Sequence, residues 1–431
     1  MTSILIADPI PLLNKGEQAL LEGIVESLNI IFSKPDIMLL SNYPEKDARR
    51  SRIPVINRNP VLFKSIKKIM PRSAFLLEGA LMAILARFGK QNFRRLFTRS
   101  ELWQAFLNSD IIVVGHDSSV SYDAVIIGWL LNKPLVIFAG SIELFRNKLK
   151  ESIAKVLLKK VNLITLREDD SYKALMDLGV IPGVKTQVTA DAAFLLKPCS
   201  PERVKEITQQ EDLPVHDRPK VGVTLTRQMC ERSHQEINDV NERYKKAIAE
   251  KAIVLDEIIE RYNVEIVFFP HCIGPGKNDD RLVARDVIQL MKRKDMVKPV
   301  VSDLGASELK GLIGQQCEVF IGERTHSVIA AMSQGIPSIC ITFPSDRRTH
   351  GIIGGMICQR DFIYNVERLN PIELLTLVDK LWAERPVIRK KLEGIIPLVK
   401  ERALNSARLI QTIVSEKEKS DNGYRCPSSQ H

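Results

Sequence analysis

Nowhere in the 431 residues do about eighteen uncharged apolar residues run together, as a membrane-spanning helix requires. The opening MTSILIADPIPLLNKGE has neither the basic start nor the long apolar stretch of a signal peptide, so neither export by that route nor membrane insertion is expected. The seven cysteines, at 199, 230, 272, 317, 340, 358 and 426, include no C-x-x-C pair and no Cys/His spacing of a zinc site. Most are therefore expected to be buried and reduced, as in a cytoplasmic protein, and no residue cluster calls for a metal. No repeat of solenoid period and no nucleic-acid recognition motif is present, so nucleic acid is not an expected partner.

What is present is enough apolar material, 45% of the chain, for two domains of about 200 residues each. Positive charge is unevenly spread. Residues 46–99 hold 14 Lys and Arg, among them Arg49, Arg50, Arg52, Lys67, Lys68, Arg94 and Arg95, against only Asp47 and Glu78, a net +12. Set beside the apolar SAFLLEGALMAILARF, this block fits either a solvated loop before a core helix or a face that meets an anionic membrane surface or charged substrate.

Short β-branched runs alternate with helical segments, the pattern of layered α/β folds with largely parallel sheets. Strands are expected at 4–8, 37–41, 111–115, 135–140, 163–167 and 185–191, and again at 221–226, 264–270, 318–322 and 338–343. The polar, proline-marked stretch 198–220 reads as a linker. The expected organisation is an N-terminal Rossmann-like domain over 1–205 carrying the basic insert 46–99, and a C-terminal Rossmann-like domain over 206–415. A late helix begins near Pro386, and residues 416–431 form a disordered tail. The simplest architecture is two Rossmann-like domains facing a cleft.

Open α/β sheets bind ligands beyond the carboxyl ends of their strands, so the loops there are the ones to inspect. After the first strand, Asn14, Lys15, Gly16 and Glu17 open a helix whose free N–H groups suit an anion, though such residues also simply cap helices. His116 and Asp117 follow the strand at 111–115, and His271 follows the strand at 264–270; each suits a sugar contact or a structural role. Arg167 ends a strand, where its planar fork would hold carboxylate or phosphate, or pair with Asp169 or Asp170. In FIGERTHSVIAAMSQGIP, Arg324 and His326 stand at the start of a helix, where a phosphate is stabilised and a protonated imidazole can donate a proton. Arg347 and Arg348 lie in the next loop. The cationic loops of Arg167, Arg324/His326 and Arg347/Arg348 are expected to converge on one cleft that takes a small, highly charged anion.

Taken in order, NKGEQALLEGI, SDIIVVG, LITLREDDSYKALMDLGV, VTADAAFLL and SELKGLIGQQCEVFIGERTHSVIAAMSQGIP resemble the polysaccharide pyruvyl transferase family over residues 4–382. The resemblance implies a fold similar to GT-B glycosyltransferases. It also implies transfer of a pyruvyl group from phosphoenolpyruvate to two hydroxyls of a polysaccharide or lipid-linked glycan, forming a ketal, without a cofactor. It makes Arg324 and Arg167 anion-holding residues, His326 the general acid, and Arg348 the counterpart of the family's lysine. Asn14, Gly16 and Arg347 join the donor site, while Glu17, His116, Asp117 and His271 are candidate acceptor contacts. The sequence departs from the family's pattern at Gly115-His116-Asp117, usually three glycines, at Glu17, usually aspartate, and at SIEL after LVIFAG. Competing readings are a nucleotide-sugar glycosyltransferase and a non-catalytic membrane-surface assembly protein. An enzyme on a lipid-linked glycan would work in the cytoplasm at the inner membrane face.

Overall fold

The computed structural model describes residues 1–60, 71–88, 100–142, 147–181, 183–213 and 218–423. Runs such as IIVVGH and LVIFAG are buried along their whole length, as strands covered on both faces of a parallel sheet must be. Eight strands form the first sheet: β1 (Ser3–Ile6), β2 (Asp36–Ser41), β3 (Val55–Asn57), β4 (Ile111–His116), β5 (Ser119–Val120), β6 (Leu135–Gly140), β7 (Leu163–Leu166) and β8 (Lys185–Val188). Their order is β3-β2-β1-β4-β6-β7-β8, all parallel, with β5 a short antiparallel return on β4. The second sheet has β9 (Lys220–Thr224), β10 (Glu265–Phe268), β11 (Val297–Pro299), β12 (Val319–Gly322), β13 (Ser338–Thr342) and β14 (Ile363–Asn365) in the parallel order β11-β10-β9-β12-β13-β14. Both orders reverse direction once, between β1 and β4 and between β9 and β12. These are the switch points where doubly wound sheets bind ligands.

The chain folds into two compact units that are not contiguous in sequence. The first comprises Met1–Leu12, Ile24–Ala192 and Arg402–His431; the second comprises Leu13–Gly23 and Ala193–Glu401. The boundary expected near residue 205 thus lies inside the second unit, and the NKGE loop belongs to that unit although it follows a strand of the first.

Two other expectations are corrected. The 198–220 stretch is not merely a linker, because Pro201–Gln210 is a helix: the Ser200 side chain accepts from Arg203 N, Pro201 starts it, and Val204, Ile207 and Thr208 are buried at helical spacing. The late helix starts at Pro371 rather than near Pro386 and runs to Gly423 with Pro386 and Pro397 inside it. Asn370 starts it by accepting from Ile372 N and Glu373 N. The helix continues past residue 416, and residues 424–431 lie outside the described residues.

In the basic block, the helix Pro71–Phe88 buries Phe75 and Met82 in the first unit's core, and Trp103 Nε1 donates to its buried Glu78 at 2.6 Å. Its other face leaves Leu77, Leu81 and Ile84 exposed. Lys67, Lys68, Arg94 and Arg95 lie outside the described residues. Of the cysteines, Cys230, Cys317 and Cys340 are buried, Cys199 and Cys272 half-buried and Cys358 exposed; Cys426 lies outside the described residues.

Candidate active site

The switch point of the second sheet is where cationic groups gather. Strand β12 ends at Gly322, and the helix Thr325–Met332 begins three residues later, with Arg324 in an extended conformation as its N-cap. Arg324 donates twice to one carboxylate: Nε to Asp280 Oδ2 at 2.8 Å and Nη2 to Asp280 Oδ1 at 2.6 Å. Asp280 opens the helix Asp280–Leu290 and also accepts from His271 N at 3.0 Å and Cys272 N at 2.8 Å. The two-toothed grip holds the guanidinium plane in one orientation. Nη1 donates to no group among the described residues, and the side chain is 26% exposed, so this edge can receive an anion. Burial works against the cation, but Asp280 outweighs it and raises the Arg324 pKa.

The NKGE loop closes onto the same place. Asn14 pairs with Cys272 as an isolated antiparallel bridge, and Lys15 N donates to His271 O at 2.8 Å. The Asn14 side chain accepts from Gly16 N at 3.0 Å, capping the helix Lys15–Ile31. Lys15 itself is buried and ion-paired through Nζ with Asp303. Gly16 lies directly against His326, for a Cβ added to it would stand 2.4 Å from His326 Nδ1. Glycine is present here because the imidazole occupies the space a side chain would take.

His271 completes the cluster. Its ring is buried, and Nδ1 has no hydrogen-bond partner among the described residues. Burial first, then the charges of Arg324, His326 and Lys15, push its pKa down to about 3, so at neutral pH Nδ1 is a hydrogen-bond acceptor in a cationic surround. Glu17 is half-buried on the first turn of the helix Lys15–Ile31. The loop bearing Arg347 and Arg348 is tied to this end of the sheet by Thr325 Oγ1 and Thr349 Oγ1, 2.6 Å apart. Asp346 organises that loop by accepting from Thr349 N and from the hydroxyls of Thr342 and Thr349. Arg347 is exposed and Arg348 half-buried.

The remaining candidates belong to the first unit and make a different arrangement. Arg167 is fully buried, and each nitrogen of its guanidinium is engaged: Nε with Ser141 Oγ at 2.8 Å, Nη1 with Asp191 Oδ2 at 2.7 Å, and Nη2 with Asp117 Oδ1. Burial alone would lower its pKa, but Asp117, Asp191 and Glu168 raise it. It therefore presents no open cationic edge, and its partners are Asp117 and Asp191 rather than the locally expected Asp169 or Asp170. In this structure Arg167 anchors Asp117, whose φ of 45° marks the tight turn between β4 and β5. Beside it, at the first sheet's switch point, His116 Nδ1 lies 2.7 Å from Asp8 Oδ2, which also accepts from Ser119 Oγ at 2.5 Å.

Asn14, Gly16, His271, Arg324 and His326 are thus brought together in one unit, while Arg167, His116 and Asp117 form a second group in the other. Sequence reasoning placed Lys15 in the NKGE loop without a role of its own, and passed over Asp280, Asp303 and Asp8. Asp280 alone carried a signal, as an acidic residue opening a helix just after a Gly-Pro-Gly turn.

Comparison with known proteins identifies the family and the fold. The profile of the family Polysaccharide pyruvyl transferase matches residues 14–344. The amylovoran biosynthesis protein AmsJ of Erwinia amylovora is 23% identical over 365 residues, 77% of this chain and 80% of that protein. Among solved structures, UDP-GlcNAc 2-epimerase from Neisseria meningitidis superimposes with a TM-score of 0.63 at 12% identity, covering 96% of this chain and 100% of that one. A glycosyltransferase from Rickettsia africae gives 0.57 at 14% identity, covering 96% and 98%. At these identities the structural likeness is one of fold, the two-sheet arrangement of GT-B-like glycosyltransferases and epimerases. With most of its length matched, including both the NKGE loop and the Arg324/His326 turn, the chain belongs to the polysaccharide pyruvyl transferase family, enzymes of polysaccharide biosynthesis.

Proposed function

We propose that the protein transfers a pyruvyl group from phosphoenolpyruvate to two hydroxyls of a glycan, with the donor held at the switch point of the second sheet. The observation that carries this reading is the fixed Arg324 guanidinium, clamped by Asp280 and open at Nη1, one helical step from His326. Arg324, the free N–H groups of the helix Thr325–Met332, and Arg347 and Arg348 take the donor's phosphate and carboxylate. Asn14 and Gly16 shape the loop against which His326 rests.

His326 then protonates the methylene carbon, leaving cationic character at C2 beside the fixed anion-binding groups. A sugar hydroxyl attacks C2 and loses its proton; phosphate departs with the C–O bonding pair, and a second hydroxyl closes the ketal as it loses its own proton. The chemistry as written uses no cofactor. Glu17 and His271 of the second unit are assigned to acceptor hydroxyls, and in the first unit His116, oriented by Asp8, and Asp117, anchored by Arg167, are assigned to sugar contacts. The test is turnover of phosphoenolpyruvate in the presence of pyruvate-free glycans. Glycan-dependent phosphate release supports the reading, and its absence with every glycan tried, alongside turnover of a nucleotide sugar, refutes it.

We further propose that the enzyme works at an anionic membrane surface on a lipid-linked glycan. Among the described residues no helix is long and apolar enough to cross a membrane. The exposed Leu77, Leu81 and Ile84 form one stripe at helical spacing in the most basic part of the sequence, a combination suited to interfacial docking. Replacing all three with serine should lower co-sedimentation with phosphatidylserine vesicles by about tenfold or more. Equal sedimentation of parent and variant would remove the membrane proposal and leave the transferase reading standing.

A further inference from the structure

The turn that carries Arg324 is held from beneath by a buried ion pair. Glu323, the residue before Arg324, is buried, and its carboxylate joins elements from both sides of the second switch point. Oε2 accepts from Thr226 N at 2.6 Å, and Thr226 caps the helix Arg227–Arg232 that leaves β9. Oε1 is ion-paired with Nζ of Lys251, from the middle of the helix Val240–Tyr262. Glu323 N donates to Thr224 O at 3.0 Å, so main chain and side chain both tie the exit of β12 to the exit of β9. Lys251 Nζ also donates to the Sγ of Cys230, 3.1 Å away, a thiol that burial pushes up to about 11.

Burying two charges costs several kcal/mol in desolvation, and apolar residues of similar volume often hold a core as well or better. Such a pair is therefore a poor device for stability at this place. It is a good device for geometry, because a carboxylate hydrogen-bonded at Oε2 to Thr226 N and charge-paired at Oε1 with Lys251 fixes one spacing between two strand exits where apolar packing permits several. We propose that Lys251 and Glu323 are positioning residues: their ion pair sets where the main chain leaves β12 and hence where Arg324 meets Asp280 and the donor. This rests on the reading of Arg324 as a donor ligand.

The test compares Lys251→Met, Glu323→Gln and the double variant with the parent and with Arg324→Ala. Each is measured for phosphoenolpyruvate affinity by calorimetry, for KM and kcat separately, and for melting temperature. Each single variant strands a buried charge and should melt lower. The double variant strands none and should recover most of the melting temperature. Its affinity for phosphoenolpyruvate should nonetheless stay about tenfold weaker than the parent's, with KM raised more than kcat is lowered. A double variant that binds phosphoenolpyruvate as tightly as the parent, while Arg324→Ala binds it poorly, overturns the positioning role alone. Unchanged affinity in Arg324→Ala overturns the donor-site reading on which it rests.

Discussion

Replacing His326 with alanine is expected to lower glycan-dependent phosphate release from phosphoenolpyruvate about a thousandfold while leaving the melting temperature within a few degrees of the parent's. A positioned general acid contributes on the order of 10²–10⁴ in rate. In the proposed reaction the proton goes to carbon, for which solvent is a poor substitute. The stability side follows from placement. His326 is half-buried on the first turn of its helix, whereas Val328, Ile329, Ala331 and Met332 carry that helix into the core. Affinity for phosphoenolpyruvate should change little, since Arg324 keeps its grip on Asp280. Phosphate release and thermal melting on the same preparation decide the matter; turnover within a few fold of the parent would end the role of His326 as the acid.

The second large effect is expected from a single methyl group. Gly16→Ala places a carbon 2.4 Å from His326 Nδ1, 2.9 Å from its Cγ and 3.1 Å from its Cβ. A clash along the whole base of the side chain cannot be relieved by a small swing of its tip, so the imidazole must leave its position. A misplacement of about 1 Å at a reacting group lowers rates by about a hundredfold. The backbone argues the other way. Gly16 lies in the first turn of a helix and is not among the residues with positive φ, so alanine there removes unfolded-state entropy and should be neutral or favourable by about 0.4–1 kcal/mol if the ring moves freely. The expected signature is a protein about as stable as the parent with turnover lowered about a hundredfold. A substantial fall in stability together with normal turnover would mean that the ring keeps its place and the strain is taken up elsewhere.

How much of this was legible in the sequence depends on whether the signal was local. The ten strands read from β-branched runs all appear, most of them because parallel strands buried on both faces must be continuously apolar, whereas β8 is an edge strand with the sequence KTQV. The strands not anticipated, β3, β5, β11 and β14, are two or three residues long. Three of them stand at sheet edges and the fourth only returns on β4, so neither periodicity nor burial marks them. Pro386 reads as a helix start, yet the helix begins earlier and passes through it as well as through Pro397, its length secured by buried residues such as Leu381, Ile388, Leu392, Ile396 and Ala403.

The site shows the same division. Arg324 and His326 were legible because a strand end, two basic residues and a small-residue helix lie within one short segment. Arg167 stood out just as clearly at its strand end, but whether an arginine faces a ligand or a carboxylate is settled by tertiary partners. Asp117 and Asp191 lie far from it in the chain. The contact between Gly16 and His326 and the bridge between Asn14 and Cys272 were hidden for the same reason. In sequence the loop follows the first unit's first strand, yet it folds into the second unit.

The central claim, that the second unit's Arg324/His326 turn serves pyruvyl transfer, is tested most directly by following one reaction with two readouts. The purified protein is incubated with phosphoenolpyruvate and a panel of pyruvate-free glycans, with phosphate measured in solution and the ketal methyl signal measured by proton NMR on the recovered glycan. The account predicts one phosphate released for each ketal formed, with both lost in Arg324→Ala. Phosphate release without a ketal, or transfer only from a nucleotide sugar, would contradict it.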